Sequence, residues 1–277
     1  MKKLPLVSCM MITSDRLEYV KISISCFQNQ TYEPRELLII DNGKSDDTKR
    51  YVDGLFEPTV RLIRVQDYGL TLGDLRNLGV GEANGELLCV WDDDDIYHPK
   101  RLEAQISKLL EKEVVANFLD EILFWWIAEN KIIISGKRHW EGTMITFKSH
   151  MPTYPSLPRA EDTPVANYIV DNNDVSFLTN PLLYVYVKHG NNTTPNELFE
   201  TNYSNASKRY EGSEFSKFYS SLSQELPVSE YKTSWACREL RTKGPEPLEL
   251  DNKRSELEAL TNKLMLFDDR GFGSWRY

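Results

Sequence analysis

Several things are scarce in this chain, and each scarcity excludes something. No apolar run approaches the roughly 20 residues that cross a bilayer, so the sequence carries no evident membrane-spanning helix. The four cysteines, Cys9, Cys26, Cys89 and Cys237, lack the close spacing that binds zinc. Cys9 and Cys89 fall in apolar runs, where cysteine acts as a small buried hydrophobe rather than a ligand or disulfide partner. That usage fits a reducing, cytoplasmic compartment. Positive charge is in deficit: 33 Lys and Arg against 42 Asp and Glu give a net charge of −9. A protein that coats nucleic acid through phosphate contacts is thereby disfavoured. No Gly-x-Gly-type run follows the first apolar segment, which argues against a nucleotidyltransferase with a phosphate-cradling loop. Repeats and low-complexity stretches are absent. The opening residues Met1 to Pro5 include two lysines, but Pro5 and Ser8 interrupt the apolar stretch behind them. They read as the approach to a first strand and not as a signal peptide.

What is present is more telling. Trp91-Asp92-Asp93-Asp94-Asp95 follows directly on the apolar stretch Leu87-Leu88-Cys89-Val90. Consecutive carboxylates at the end of a buried strand repel one another, and burying them is costly unless a cation neutralises them. Oxygen ligands favour Mg²⁺ or Mn²⁺, and Mg²⁺ usually takes one or two carboxylates plus substrate phosphates. The blander reading is a solvated acidic turn. The strand ahead of the run and the residues described next weigh against it.

The first 110 residues alternate in a regular way. Apolar runs at 6–12, 37–40, 60–65 and 87–91 have strand length. Helical spacing appears at Leu17, Val20, Ile24 and Phe27, behind the N-cap candidates Thr13-Ser14-Asp15. It recurs at Tyr51, Val52 and Leu55, at Leu72, Leu75 and Leu78, and from Pro99 to Lys112. Strands alternating with helices predict a mostly parallel, doubly wound α/β sheet with both faces covered. Asp41 and the acidic run then fall at strand C-terminal ends, where open α/β sheets bind ligands. Residues 118–127, 131–135 and 143–147 read as aromatic-rich strands. A helix is expected from Glu161 to about Val170, with further strands at 175–178 and 182–188. Beyond residue 194 the pattern turns polar and mainly helical. A linker is expected at 244–247 and an amphipathic helix at 251–267.

The motifs, taken in order, resemble those of inverting glycosyltransferases with the GT-A fold, in the family 2-like group. That resemblance implies a Rossmann-like, nucleotide-sugar-binding sheet with a C-terminal, mainly helical extension. It implies a GT-A domain over 1–194, with a nucleotide-binding half at 1–112 and an acceptor-binding half at 113–194, and the extension at 195–277. Met11-Ile12-Thr13-Ser14-Asp15-Arg16 is similar to the family's strand-one ending, which places Thr13 and Asp15 by the nucleotide. Leu38-Ile39-Ile40-Asp41-Asn42-Gly43 gives Asp41 a base or ribose contact, with Asn42 where the family usually has a second acid. Gly73-Asp74-Leu75-Arg76-Asn77 resembles the family's Ala-Arg-Asn helix and brings Asp74 and Arg76 to the donor. A guanidinium suits planar recognition of anionic oxygens. The acidic run matches the family's Asp-x-Asp motif. Register against Trp91 gives the pair Asp92 and Asp94, with Asp94 the direct metal ligand, Asp92 bound through ribose or water, and Asp93 near the donor. The register one residue on, Asp93 and Asp95, stays open. Glu161-Asp162 resembles the catalytic pair at a helix start. Asp162 is the implied general base, kept ionised by the helix N-terminus, and Glu161 shares or orients its work; plain N-capping is the structural alternative. Lys188-His189-Gly190 is similar to a strand ending in related transferases and makes His189 a metal-ligand candidate.

Together these imply Mn²⁺ or Mg²⁺ as cofactor and a UDP-sugar as donor. The implied acceptor is a saccharide in polysaccharide or glycoconjugate synthesis. They are compatible with peripheral association with the inner face of a membrane and with a homo-oligomer. The rivals are a GT-A-like binding module without turnover, to which Asn42 points, and a transferase acting on a protein, peptide or nucleobase.

Overall fold

The apolar runs of the first third become parallel strands, three of them buried on both faces and the edge strand at 60–64 only partly buried. The computed structural model describes residues 3–242. The expected linker at 244–247, the helix at 251–267 and the aromatics Phe272, Trp275 and Tyr277 lie outside the described residues. Strands β1 (Val7–Thr13), β2 (Arg35–Asp41), β3 (Val60–Arg64) and β4 (Leu87–Val90) pair in parallel, with β1 between β2 and β4. Helices α1 (Leu17–Gln28), α2 (Asp47–Gly54) and α3 (Leu72–Glu82) connect them. The order of the strands reverses at β1. The crevice at the C-terminal ends of β1 and β4 is therefore the expected place for a ligand.

The next third adds to both the sheet and the crevice. A short β5 (Ile96–Tyr97) follows the acidic run and leads to α4 (Arg101–Lys112). Strands β6 (Ala116–Leu119), β7 (Leu123–Trp126), β8 (Lys131–Ile134) and β9 (Ile145–Phe147) precede α5 (Asp162–Asn172), β10 (Val175–Leu178) and β11 (Tyr184–Lys188). Residues 195–242 form α6 (Asn196–Ser204), β12 (Lys208–Tyr210), α7 (Gly212–Glu225) and α8 (Val228–Thr242). The first sheet has seven strands in the order β10-β6-β9-β4-β1-β2-β3, and the second has five in the order β12-β8-β7-β11-β5. In the first sheet β9 runs antiparallel to both its neighbours.

Two features differ from the sequence reading. Ser14 and Asp15 do not cap α1. The Asp15 carboxylate instead accepts the backbone N–H groups of Lys44 (3.0 Å) and Ser45 (2.8 Å), tying the end of β1 to the loop after β2. The described residues after 194 are mainly helical, but they also supply an edge strand, with β12 antiparallel to β8. Helix α8 packs on α1.

Candidate active site

A cleft of 1230 Å³ opens at the C-terminal ends of β1 and β4. Its walls include Thr13, Asp15, Arg16, Arg76, the acidic run, Glu161 and Asp162. Three local arrangements bring these residues together. The acidic run leaves β4 and re-enters structure at β5, which pairs with β11 through Ile96–Val185 and Tyr97–Tyr184. That pairing carries His189, just past β11, to the acidic turn. The loop 151–160 is laid over α3 by a reciprocal pair: the Asn77 amide donates to the Tyr154 carbonyl and the Tyr154 N–H donates to the Asn77 side-chain oxygen, each at 2.8 Å. Gly73 makes this approach close. Its N–H donates to the Leu157 carbonyl at 3.1 Å, and a Cβ there would stand 1.9 Å from the Pro155 carbonyl oxygen. The loop then delivers Glu161 and Asp162 beside Arg76.

The four carboxylates alternate. Asp93 and Asp95 point inward, each with 2% of its surface exposed. Asp93 accepts the Thr13 hydroxyl at 2.6 Å and an Arg16 N–H at 3.0 Å. Asp95 accepts the Tyr184 hydroxyl and, at 3.0 Å, the Val187 N–H. Burial pushes the Asp93 carboxyl up to about 7 and raises Asp95 well above the carboxylate range. Asp92 and Asp94 face the cleft, with side chains 28% and 15% exposed. Asp94 gives Oδ2 to Arg16 (2.5 Å) and to His189 Nε2 (3.0 Å). Burial opposes its charge, but Arg16 and His189 outweigh that cost and hold it well below the usual range. Asp92 gives Oδ1 to Arg76 at 3.0 Å. Among the described residues Asp92 Oδ2 and Asp94 Oδ1 accept no hydrogen bond from the protein. No three His, Cys, Asp or Glu side chains among those residues gather into a metal cluster. Two open carboxylate oxygens are the kind of donor a hard cation accepts when a phosphate-bearing substrate and water supply the rest.

Arg76 is buried and bridges two groups. Its Nε donates to Glu161 at 2.5 Å and its Nη2 to Asp92 at 3.0 Å, while Nη1 has no hydrogen-bond partner. It is thus not a surface ion pair. Glu161 spends its carboxylate on Arg76, and no side chain caps α5; capping is not what this pair does. Asp162 opens α5, lines the cleft and makes no hydrogen bond to the described residues. The expected lowering by the helix N-terminus is overridden. Burial raises Asp162 to about 6, with Arg76 opposing and Glu161, Glu141 and Asp92 adding to the rise.

Other expected donor-site residues stand elsewhere. Asp41 is fully buried outside the cleft lining and accepts Arg64 (2.9 Å) and the Gly43 N–H (2.8 Å). Asp74 closes a capping box with Thr71 and accepts the Ser156 hydroxyl at 2.9 Å, so it holds the loop over α3 and does not face the cleft. His189 is buried behind Asp94 and outside the cleft lining; its Nδ1 meets the Tyr19 hydroxyl at 2.8 Å and its Nε2 meets Asp94 at 3.0 Å. Asn42 uses its amide on the Val65 and Asp67 carbonyls, which makes it a loop clamp. The sequence reading passed over Arg16, Tyr19 and Tyr184. Arg16 carried a signal as the last residue of the strand-one motif, and Tyr184 as the first residue of the strand that leads to His189.

The glycosyl transferase family 2 model matches residues 8–156. An Escherichia coli UDP-Glc:alpha-D-GlcNAc-diphosphoundecaprenol beta-1,3-glucosyltransferase is 31% identical over 109 residues, 39% of this chain and 43% of that one. A Methanocaldococcus jannaschii uncharacterized glycosyltransferase is 30% identical over 164 residues, 55% of each chain. The chain spans about half the length, or less, of these curated relatives. Among solved structures, S. aureus TarS 1-349 in complex with UDP-GlcNAc matches with a TM-score of 0.56 at 14% identity, covering 73% of this chain and 67% of that one. That likeness shows a shared fold, and the expected GT-A architecture is the one found. With more than half its residues under the family model, the chain belongs to glycosyl transferase family 2, a family of glycosyltransferase enzymes.

Proposed function

We propose that this protein is a metal-dependent, inverting transferase that moves a sugar from a UDP-sugar to a saccharide acceptor. The observation that carries the reading is the placement of Asp162. A half-buried carboxylate with no hydrogen bond to the described residues shares one cleft with Asp92 and Asp94, and its neighbour Glu161 is tied to Asp92 through Arg76. The UDP assignment draws on the UDP-glucose named for the E. coli relative and the UDP-GlcNAc bound by TarS. Relatives named for diphosphoundecaprenol-linked saccharides support an acceptor of lipid-linked or polymer type. No helix of the described residues is long and apolar enough to cross a membrane, so we place the encounter with such an acceptor at a membrane surface, on its cytoplasmic side.

The residues divide the work. Asp162 takes the proton from the acceptor hydroxyl. The oxygen attacks the anomeric carbon as the bond to the donor phosphate breaks, the electron pair leaves with UDP, and the configuration inverts. Arg76 fixes Glu161 and Asp92 in relation to one another, and so holds the base at a set distance from the donor. Asp92 and Asp94 would hold Mn²⁺ or Mg²⁺ through their open oxygens, and the ion would offset the charge that develops on the leaving diphosphate. Arg16 and His189 keep Asp94 ionised and oriented. The cleft exceeds the roughly 300–1,000 Å³ of a common small-molecule pocket, which suits two substrates side by side.

The test is UDP release from a panel of UDP-sugars with and without Mn²⁺. Asp94→Ala should abolish release and metal-dependent UDP affinity. Asp162→Asn should keep UDP affinity and lose transfer by about 10²–10⁴-fold, the usual contribution of a positioned base. Full turnover by either variant would refute the assignment of that residue.

A further inference from the structure

Helix α8 lies outside the part of the chain that the family model matches, yet one face of it meets the donor end of the cleft. Tyr231, Trp235 and Arg238 stand at i, i+4 and i+7, the spacing of a single helical face. Each touches a different component of the site. The Tyr231 hydroxyl donates to the backbone carbonyl of Asp94 at 2.6 Å. The Trp235 indole N–H donates to the carbonyl of His189 at 3.3 Å. The Arg238 guanidinium lies 3.4 Å from the centroid of the Tyr19 ring, and Tyr19 in turn holds His189. Arg238 is also part of the cleft wall.

The same tyrosine ring carries a second guanidinium. Arg16 stands 4.7 Å from its centroid while paired with Asp93 and Asp94. Two guanidiniums on one ring, at the lip of a cleft, gain from an anion placed against both. Their position beside Asp94 puts that anion next to the proposed metal pair.

We propose that Arg238 is a phosphate-binding residue for the nucleoside diphosphate of the donor, delivered into the site by α8. The inference rests on the donor reading above. On this account the C-terminal segment completes the donor site: Tyr231 and Trp235 hold the acidic turn and the end of β11, and Arg238 reads the ligand. Arg238→Gln removes the charge from a partly exposed position. Arg238→Lys keeps the charge but loses the planar fork.

Affinities of UDP, UMP and uridine in the presence of Mn²⁺, measured by titration calorimetry on wild type and both variants, test this. Arg238→Gln should bind UDP about ten- to a hundred-fold more weakly, as expected for a hydrogen bond to a charged group, and uridine as wild type does. Unchanged uridine binding also reports an intact fold. Arg238→Lys should recover part of the UDP loss. Wild-type UDP affinity in Arg238→Gln overturns the inference and leaves the donor reading standing. So does a defect confined to the KM of the acceptor, which would assign Arg238 to an acceptor phosphate. Equal losses for UDP and uridine would make α8 purely structural. Failure of wild type to bind UDP at all overturns the donor reading and this inference together.

Discussion

Asp162 shows how a local rule can lose to the surroundings. At the first position of α5 its carboxylate should be favoured by the helix dipole. Burial among Glu161, Glu141 and Asp92 wins, and the group is raised to about 6. Two outcomes follow with definite sign. Because the base form is the carboxylate, kcat/KM should rise as pH increases through about 6 and level off above it; a flat profile from pH 5 to 8 would exclude Asp162 as the base. Folded-state ionisation of Asp162 also costs stability, since its folded value lies above the unfolded 3.8. That cost is absent below the unfolded value and grows as pH rises through it. Asp162→Asn should therefore melt higher than wild type at pH 8 and equally at pH 3.5, which thermal denaturation at the two pH values decides. Glu161 answers to a different term. Removing it takes away one of the two carboxylates on the buried Arg76 guanidinium and leaves only Asp92, and Glu161→Ala should lower stability by about 3 kcal/mol by denaturant unfolding, the low end for a broken buried ion pair. Both carboxylates were legible as a pair in the sequence. The sequence also named Asp162 as the base and Glu161 as its helper, but not the contact with Arg76 that occupies Glu161.

The elements were legible where periodicity is strong. The four parallel strands and the helices between them follow from apolar runs, buried on both faces in β1, β2 and β4 and partly in the edge strand β3, which the sequence displays openly. The two-residue β5 and three-residue β12 have no such signature. Lys208-Arg209-Tyr210 looks like any polar loop until β8 presents an edge to it. The side chains of the acidic run illustrate the same limit. Their alternation arises in a turn, where no sequence period applies, and which pair keeps open oxygens is set by Thr13 and Tyr184 claiming Asp93 and Asp95. Asp41 and Asp74 went astray because a motif gives position along the chain and not direction. The first turns to Arg64, the second to its own helix cap. At this scale Gly73 offers a test. A methyl group there meets the Pro155 carbonyl at 1.9 Å, so backbone must move. Gly73→Ala should lower stability by about 1–3 kcal/mol, as overpacking does, and reduce transfer more than UDP affinity, because the displaced loop carries Asp162. Unchanged kinetics would show that the loop does not position the base.

Across the whole molecule, the cleft is a property of the join between sheets. β1 and β4 of the first sheet end at its floor, and β5 and β11 of the second bring Tyr184 and His189 against the acidic turn. The remaining parts arrive from α3, the loop before α5 and α8. A site assembled from so many separate segments is present only in the folded chain, so a ligand that binds it stabilises the fold as a whole. This is also where the account is most exposed. The central claim is that two carboxylates with open oxygens hold a divalent ion together with a nucleoside diphosphate. Thermal unfolding with UDP, with Mn²⁺, and with both measures it directly. The account predicts little shift with either alone and a clear shift with both, about 2.7 kcal/mol of added stability at a ligand concentration 100 times Kd. It also predicts that Asp94→Ala loses this joint shift. Absence of any response to UDP or to another nucleoside diphosphate, with metal or without, would contradict it and leave a GT-A fold that does not turn over a nucleotide sugar.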